Sequence, residues 1–115
     1  MSTINLTGLT AATAAFKAAA VKIINFSIVN EIRDIGVGQS VTYNCGTIIG
    51  TNAAKYDLTN VDARARASID GGANYYESAA VLDVVTTPTG IVTVTNNYTA
   101  VVRAEITIKA PRISL

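Results

Sequence analysis

Polar and apolar positions alternate most regularly at two places in this chain. Across residues 61 to 69, Val61, Ala63, Ala65, Ala67 and Ile69 share one parity, while Asp62, Arg64, Arg66 and Ser68 share the other. That two-residue period belongs to a strand with one buried side, so Ala63, Ala65, Ala67 and Ile69 are expected in the core and Arg64 and Arg66 outside. The pattern returns, longer, near the end of the sequence. Val102, Ala104, Ile106, Ile108 and Ala110 face one way, and Val101, Arg103, Glu105, Thr107 and Lys109 the other, until Pro111 removes a backbone donor and ends the ladder.

Between and before these segments the alternation is shorter and is punctuated by turn residues. Phe26 and Ile28 alternate with Asn25 and Ser27, predicting a strand that runs to Ile32, after which the cluster from Arg33 to Ser40, with Gly36 and Gly38, reads as a turn. Val41, Tyr43 and Cys45 share the parity of a second strand, with Thr47 to Ile49 as its apolar continuation, and Ala53 to Asn60 form a polar connection. Asp70-Gly71-Gly72-Ala73-Asn74 supplies residues that tolerate positive φ and reverses the chain into an expected strand from Tyr76 to Val85. Thr87-Pro88-Thr89-Gly90 and Asn96-Asn97 are further turns, flanking a strand from Ile91 to Thr95.

Only one segment has a helical signature. Residues 10 to 22 are the richest in alanine, with Thr10 as N-cap and Phe16, Ala19, Ala20 and Ile23 on one face. Ahead of it, residues 1 to 9 read as an arm. The expected organisation is an N-terminal arm and short Ala-rich helix over residues 1 to 22, and an all-β, antiparallel, jelly-roll-like β-sandwich over residues 23 to 115. Turns recurring about every ten residues from Gly36 onward support the sandwich, because a parallel α/β fold would need helical patterns between its strands.

Composition changes this picture in one respect. Half of the 115 residues are hydrophobic and 15% are charged, against roughly 25% charged in ordinary soluble domains. Ala and Val account for much of the apolar excess, which suits a β domain of small residues; the sharper reading is a surface covered by copies of the chain or by a larger assembly. A net charge of +1, with basic residues scattered from Lys17 to Arg112, leaves no electrostatic footprint for nucleic acid. Lys17 and Lys22 interrupt the longest apolar region, which argues against a membrane span, and the start has neither a basic region nor a continuous apolar one to act as a secretory signal. Synthesis in a cytoplasm is therefore expected.

The search for chemistry returns little. Histidine is absent, and with it the commonest general base and zinc ligand. Asp57, Asp62, Asp70, Glu77 and Asp83 read as solvated charges, several beside Arg64 and Arg66, and not as a catalytic set. Asp70, Asn74 and Glu77 offer oxygens suited to calcium, but they match no EF-hand spacing and serve equally as turn formers. Gly71-Gly72 lacks the pattern of a phosphate loop, and the sequons at Asn5, Asn25 and Asn97 are expected by chance in a Thr-rich chain. Cys45 is expected to be a buried, inert thiol. No enzyme, metal or cofactor is expected. Tyr75, Tyr76 and Tyr98 are the candidate stacking residues for a sugar, although adjacent tyrosines in a strand point to opposite faces.

Three stretches together carry a resemblance: Ser68-Ile69-Asp70-Gly71-Gly72-Ala73-Asn74-Tyr75-Tyr76, then Thr89-Gly90-Ile91-Val92-Thr93-Val94, then the run from Tyr98 to Thr107. In this order they resemble small bacteriophage virion proteins of β-sandwich fold, in which a hairpin ending in an aromatic precedes a V-x-V strand and an R-A-x-I-T strand. The resemblance covers residues 62 to 107, and the same hairpin occurs in carbohydrate-binding sandwiches. It implies a capsid decoration or cement protein, or a neck or fibre-base protein, present in many copies in the virion. Its partners would be itself, as a homo-oligomer for which a trimer is one form, and the major capsid protein or other virion proteins. Leu6, Leu9 and Phe16 would anchor a docking arm. The alternative from a different class is an adhesin-like or carbohydrate-binding module acting through Tyr75, Tyr76 and Tyr98.

Overall fold

The computed structural model describes residues 25–114. The expected arm and helix, with Leu6, Leu9 and Phe16, lie outside the described residues. The described chain is mostly β, with little helix, in two antiparallel three-stranded sheets. The strands are β1 (Asn25–Ile35), β2 (Ser40–Asn44), β3 (Asp62–Ser68), β4 (Leu82–Thr86), β5 (Ile91–Asn96) and β6 (Val102–Pro111). The first sheet has the order β1-β6-β3 and the second β2-β5-β4.

Each sheet is built round a strand with the cleanest alternation. In β6, Val102, Ala104, Ile106, Ile108 and Ala110 are fully buried, as are Val92, Val94 and Asn96 in β5. Side chains from both sheets join one hydrophobic cluster, to which Ile35, Tyr43, Ala65, Ala67 and Leu82 also belong. Burying a side chain the size of Ile106 or Ile108 contributes about 2 kcal/mol, so these two central strands dominate the core.

Four local expectations are corrected by the structure. First, β1 continues past Ile32 to Ile35, and the turn shrinks to Gly36–Gln39, where the Gln39 N–H donates to the Gly36 carbonyl at 3.1 Å. Arg33 and Asp34 stay in the ladder because they pair with Ala104 and Arg103. Second, Cys45–Ile49 is a short helix, α1, and not a strand continuation. The Asn44 side chain caps it by accepting from the Thr47 N–H at 3.2 Å, a local bond that competes with strand pairing. Cys45 remains fully buried as expected.

Third, Ile69 is 48% exposed and does not belong to the core. Pairing with β6 stops at Ser68, opposite Arg103. There the Ser68 hydroxyl donates to Asp70 Oδ1 at 2.6 Å and accepts from the Gly72 N–H at 2.8 Å, which turns the chain out of the strand before Ile69 can reach inward. Fourth, the strand expected from Tyr76 to Val85 is reduced to β4, with Tyr76 retained as an isolated bridge to Ala67. The Ser78 carbonyl accepts from the N–H groups of both Val81 and Leu82, making a turn of residues 78 to 82.

Asn96, read from the sequence as a turn residue, is the last residue of β5 and is wholly buried. Its carboxamide nitrogen donates to the carbonyls of Ile35 at 2.9 Å, Gly36 at 3.2 Å and Ala100 at 2.9 Å, and its Oδ1 accepts from the Tyr98 N–H at 2.8 Å. One side chain thus ties the end of β1, in the first sheet, to the end of β5 and the β5–β6 turn. Replacing Asn96 with Ala strands buried carbonyls without donors, each worth about 1–3 kcal/mol when unpaired. Urea denaturation of Asn96→Ala should show a loss of about 3 kcal/mol, and Asn96→Asp, which cannot donate to three carbonyls, should be no better.

Candidate assembly surface

The outward faces of the two sheets differ in chemistry. On the first sheet, the residues turned away from the core are Asn30, Ile32 and Asp34 of β1, Arg103, Glu105, Thr107 and Lys109 of β6, and Asp62, Arg64 and Arg66 of β3. Arg64, Arg66 and Arg103 pair with carboxylates of the same face. Arg103 Nε lies 3.0 Å from Asp34 Oδ1 and its Nη1 donates to the Gly71 carbonyl at 2.8 Å. Arg66 meets Glu105 at 3.2 Å and stacks over the Tyr75 ring at 5.8 Å, and Arg64 meets Asp62 at 3.3 Å on the same strand. Asp70, expected as a solvated charge on this face, makes no salt bridge with these arginines among the described residues. Asp70 instead serves its own turn, with the Ser68 hydroxyl first and Asn74 second holding its carboxylate down to about 2.

The second sheet turns outward Ser40, Thr42 and Asn44 of β2, Ile91, Thr93 and Thr95 of β5, and Asp83 and Val85 of β4. Asp83 is the only charge in this set. Hydroxyls meet across the strands, Ser40 with Thr95 at 2.7 Å and Thr42 with Thr93 at 3.4 Å. These cross-strand bonds satisfy hydroxyls that would otherwise need water and leave methyl groups on the face. Val85 stands 54% exposed beside them. Such a face of hydroxyls and methyls, nearly without charge, is suited to burial against another surface, because covering it desolvates almost no ionic group.

The tyrosines singled out from the sequence are held separately. Tyr75 lies under Arg66, Tyr76 exchanges two backbone hydrogen bonds with Ala67, and Tyr98 packs against the core cluster. Among the described residues no ring contact joins any two of them. The aromatic contact that does form is elsewhere. Phe26, at the start of β1, meets Tyr56 edge-on at 6.4 Å, and the Arg112 guanidinium sits 5.8 Å and 5.7 Å from their ring centres. Sequence reasoning missed this group because its members are far apart in the chain and are joined by the pairing of Tyr56 with Arg112. Among the described residues no group of three or more acidic or cysteine side chains is placed to hold a metal ion. A groove of about 210 Å³ lies between β3 and β4.

No family model matches the chain, and neither does any curated protein or solved structure.

Between the two sheets, Tyr43 of β2 donates its phenol hydrogen to Glu31 of β1, and Arg33 lies 3.6 Å from the same carboxylate. Burial, then the bond to Glu31, pushes the Tyr43 phenol up to about 12, with Arg33 pulling the other way. An unfolded tyrosine loses its proton near pH ~10. Between these values the unfolded chain releases a proton that the folded chain keeps, so stability fully present below the lower value is lost as the pH rises through the higher one. Urea midpoints measured from pH ~9 to ~12 should fall less steeply for Tyr43→Phe than for the native chain. At neutral pH the variant should be weaker by about 1 kcal/mol.

Proposed function

We propose that the protein is a non-enzymatic structural part of a virion, of the capsid decoration or cement type, and that its two sheets form an antiparallel, jelly-roll-like sandwich. The observation that carries assembly is the division of charge between the two outward faces. A free monomer gains solubility from charge on every side; here the face of the second sheet keeps only Asp83 among Ser, Thr, Asn, Ile and Val. Covering that face with a second copy, or with the shell of a particle, removes apolar surface from water at little ionic desolvation. The first sheet, with its paired arginines and carboxylates, would stay in solvent.

Placement on a virion is supported by the resemblance of the hairpin from Ser68 to Tyr76, and of the β5 and β6 sequences, to phage virion sandwiches. Residues 1 to 22 would act as the arm that reaches the major capsid protein or another virion protein, with Leu6, Leu9 and Phe16 as its apolar anchors. Copy number follows from that role, since a cementing part repeats with the lattice it covers.

Two measurements test the proposal. Thr93→Arg puts a long cation at the middle of the charge-poor face, and sedimentation should show self-association weakened at least tenfold, about 1.4 kcal/mol, with folding retained by circular dichroism. Lys109→Ala, on the other face, should leave association unchanged; equal effects from both would overturn the choice of face. Particles purified from the cells in which the chain is naturally made should contain it at a fixed, many-copy ratio to their main shell protein. Recovery of the chain only in the particle-free fraction would end the virion reading.

A further inference from the structure

Four strands stand at sheet edges, β1 and β3 in the first sheet and β2 and β4 in the second. Three of the four are encumbered. β1 breaks register between Ser27 and Val29 and carries Glu31 and Arg33 on its inward parity, devices that discourage edge pairing. β3 and β4 face each other across the groove lined by Ala63, Ala65, Leu82 and Val84, and β3 is also met at Ala67 by Tyr76. β2 differs: its sequence, Ser40-Val41-Thr42-Tyr43-Asn44, has no charge and no proline, and it pairs with β5 without a break in register. Antiparallel pairing sends a strand's N–H and C=O groups to one neighbour at every second residue. Gln39 accepts from the Asn96 N–H and Cys45 donates to the Gly90 carbonyl, so Val41 and Tyr43, between them on the same parity, also bond towards β5. Ser40, Thr42 and Asn44 therefore turn their backbone groups outward, where no described strand meets them. Such an unpaired row is a template for one more strand.

Self-complementarity names the occupant. When a second β2 approaches antiparallel about a two-fold axis at Thr42, each Thr42 exchanges both of its backbone bonds with the other, and each Asn44 N–H meets the other copy's Ser40 carbonyl. The side chains match in the same register. Ser40 falls opposite Asn44 on the outward side and Val41 opposite Tyr43 on the inward side, so no like charges meet and a β-branched residue faces an aromatic one. The axis also brings the α1 end of each copy to the other's Gly36–Gln39 turn. Those two ends carry Ile48 and Val37, which are 47% and 56% exposed. A two-fold contact requires a patch complementary to itself, and the edge of β2 meets that requirement.

We infer that the outer edge of β2 is a homodimer seam, at which two copies pair antiparallel about an axis through Thr42 and join their second sheets into one. This rests on the reading of the chain as a self-assembling part and names the contact that links its copies. Pairing at β2 leaves the outward side of the second sheet uncovered. The charge-poor face therefore continues from one copy into the next, and the dimer presents it as a single surface to whatever it covers.

A charge swap at the axis, made in the full chain, tests it. Native mass spectrometry of the native chain should show twice the 12.0 kDa of one copy, or multiples of that pair. Thr42→Lys and Thr42→Asp each set like charges side by side at the axis and should weaken pairing about tenfold or more, with circular dichroism unchanged. Mixed in equal amounts, the two variants should recover a dimer holding one of each, because unlike charges then meet. Hydrogen exchange on the native chain needs no variant to fold. The Thr42 amide should exchange more slowly as concentration rises, while that of Val84, whose backbone turns away from β5 on β4, should not change. The inference is overturned if both variants keep the native mass, if the mixture recovers no dimer, if Thr42 exchange ignores concentration, or if the native mass is an odd multiple of one copy. In any of these cases sensitivity to Thr93→Arg would keep the charge-poor face as the assembly surface and remove only this seam. A native chain found solely at 12.0 kDa would remove both.

Discussion

The carboxamide of Asn96 stands where the chain passes from one sheet to the other, and the fold depends on how its bonds are satisfied there. Ile35 closes β1, Gly36 begins the turn into β2, and Ala100 precedes β6; the carbonyls of all three point at one buried nitrogen. The backbone of Asn96 is used as fully. Its N–H donates to Gln39 and its carbonyl accepts from Gly38. A hydrophobic residue at this position would fill the space and leave the two crossings free to slide, since apolar contacts are non-directional. A buried amide with every donor and acceptor engaged fixes the relation between the sheets to one arrangement. The short turn at Gly36–Gln39 is possible because Gly38 adopts φ of 69°, so the crossing needs no longer loop.

What could be read from the residues follows from the same division between repetitive and singular interactions. The buried sides of β3, β5 and β6 were legible because each repeats its signal every second residue, and the outer charges of β6 fell where the pattern put them. Asn96 was illegible for the opposite reason. Followed by a second asparagine, it carries the same local signature as an exposed turn, and only contacts with Ile35 and Gly36, sixty residues earlier, give it its place. Likewise α1 hangs on one side-chain bond from Asn44, and the exposure of Ile69 on the hydroxyl of Ser68. Single polar bonds ended the periodic elements, and periodicity does not encode them.

The charge-poor face was partly visible in the sequence, in the shortage of charged residues, but its location was not. Thr42, Thr93 and Thr95 are ordinary strand residues taken singly. Register turns them into a surface: Ser40 opposite Thr95 and Thr42 opposite Thr93 put the hydroxyls side by side. The tyrosines show the converse. Tyr75 and Tyr76 drew notice because they follow the glycine hairpin, and folding sent one beneath Arg66 and the other into a bridge with Ala67.

The edges of the first sheet are treated unequally, and the difference bears on assembly. β1 has the features that discourage pairing: an extra residue breaks its register between Ser27 and Val29, and Glu31 and Arg33 occupy the inward parity that Ile35 shares. Inward charges at an edge make an incoming strand bury them or move them, which protects the edge without a partner. On the other side, β3 has only Tyr76 against Ala67, and towards its start the backbone at Ala63 and Ala65 is open. Small inward side chains there put no charge in the way of an approaching strand. The bulge and the inward charges are confined to β1, whereas β3 is covered at Ala67 by the bridge from Tyr76, so the two edges of one sheet are finished by different means: one by its own side chains and register, the other by a neighbouring stretch of backbone.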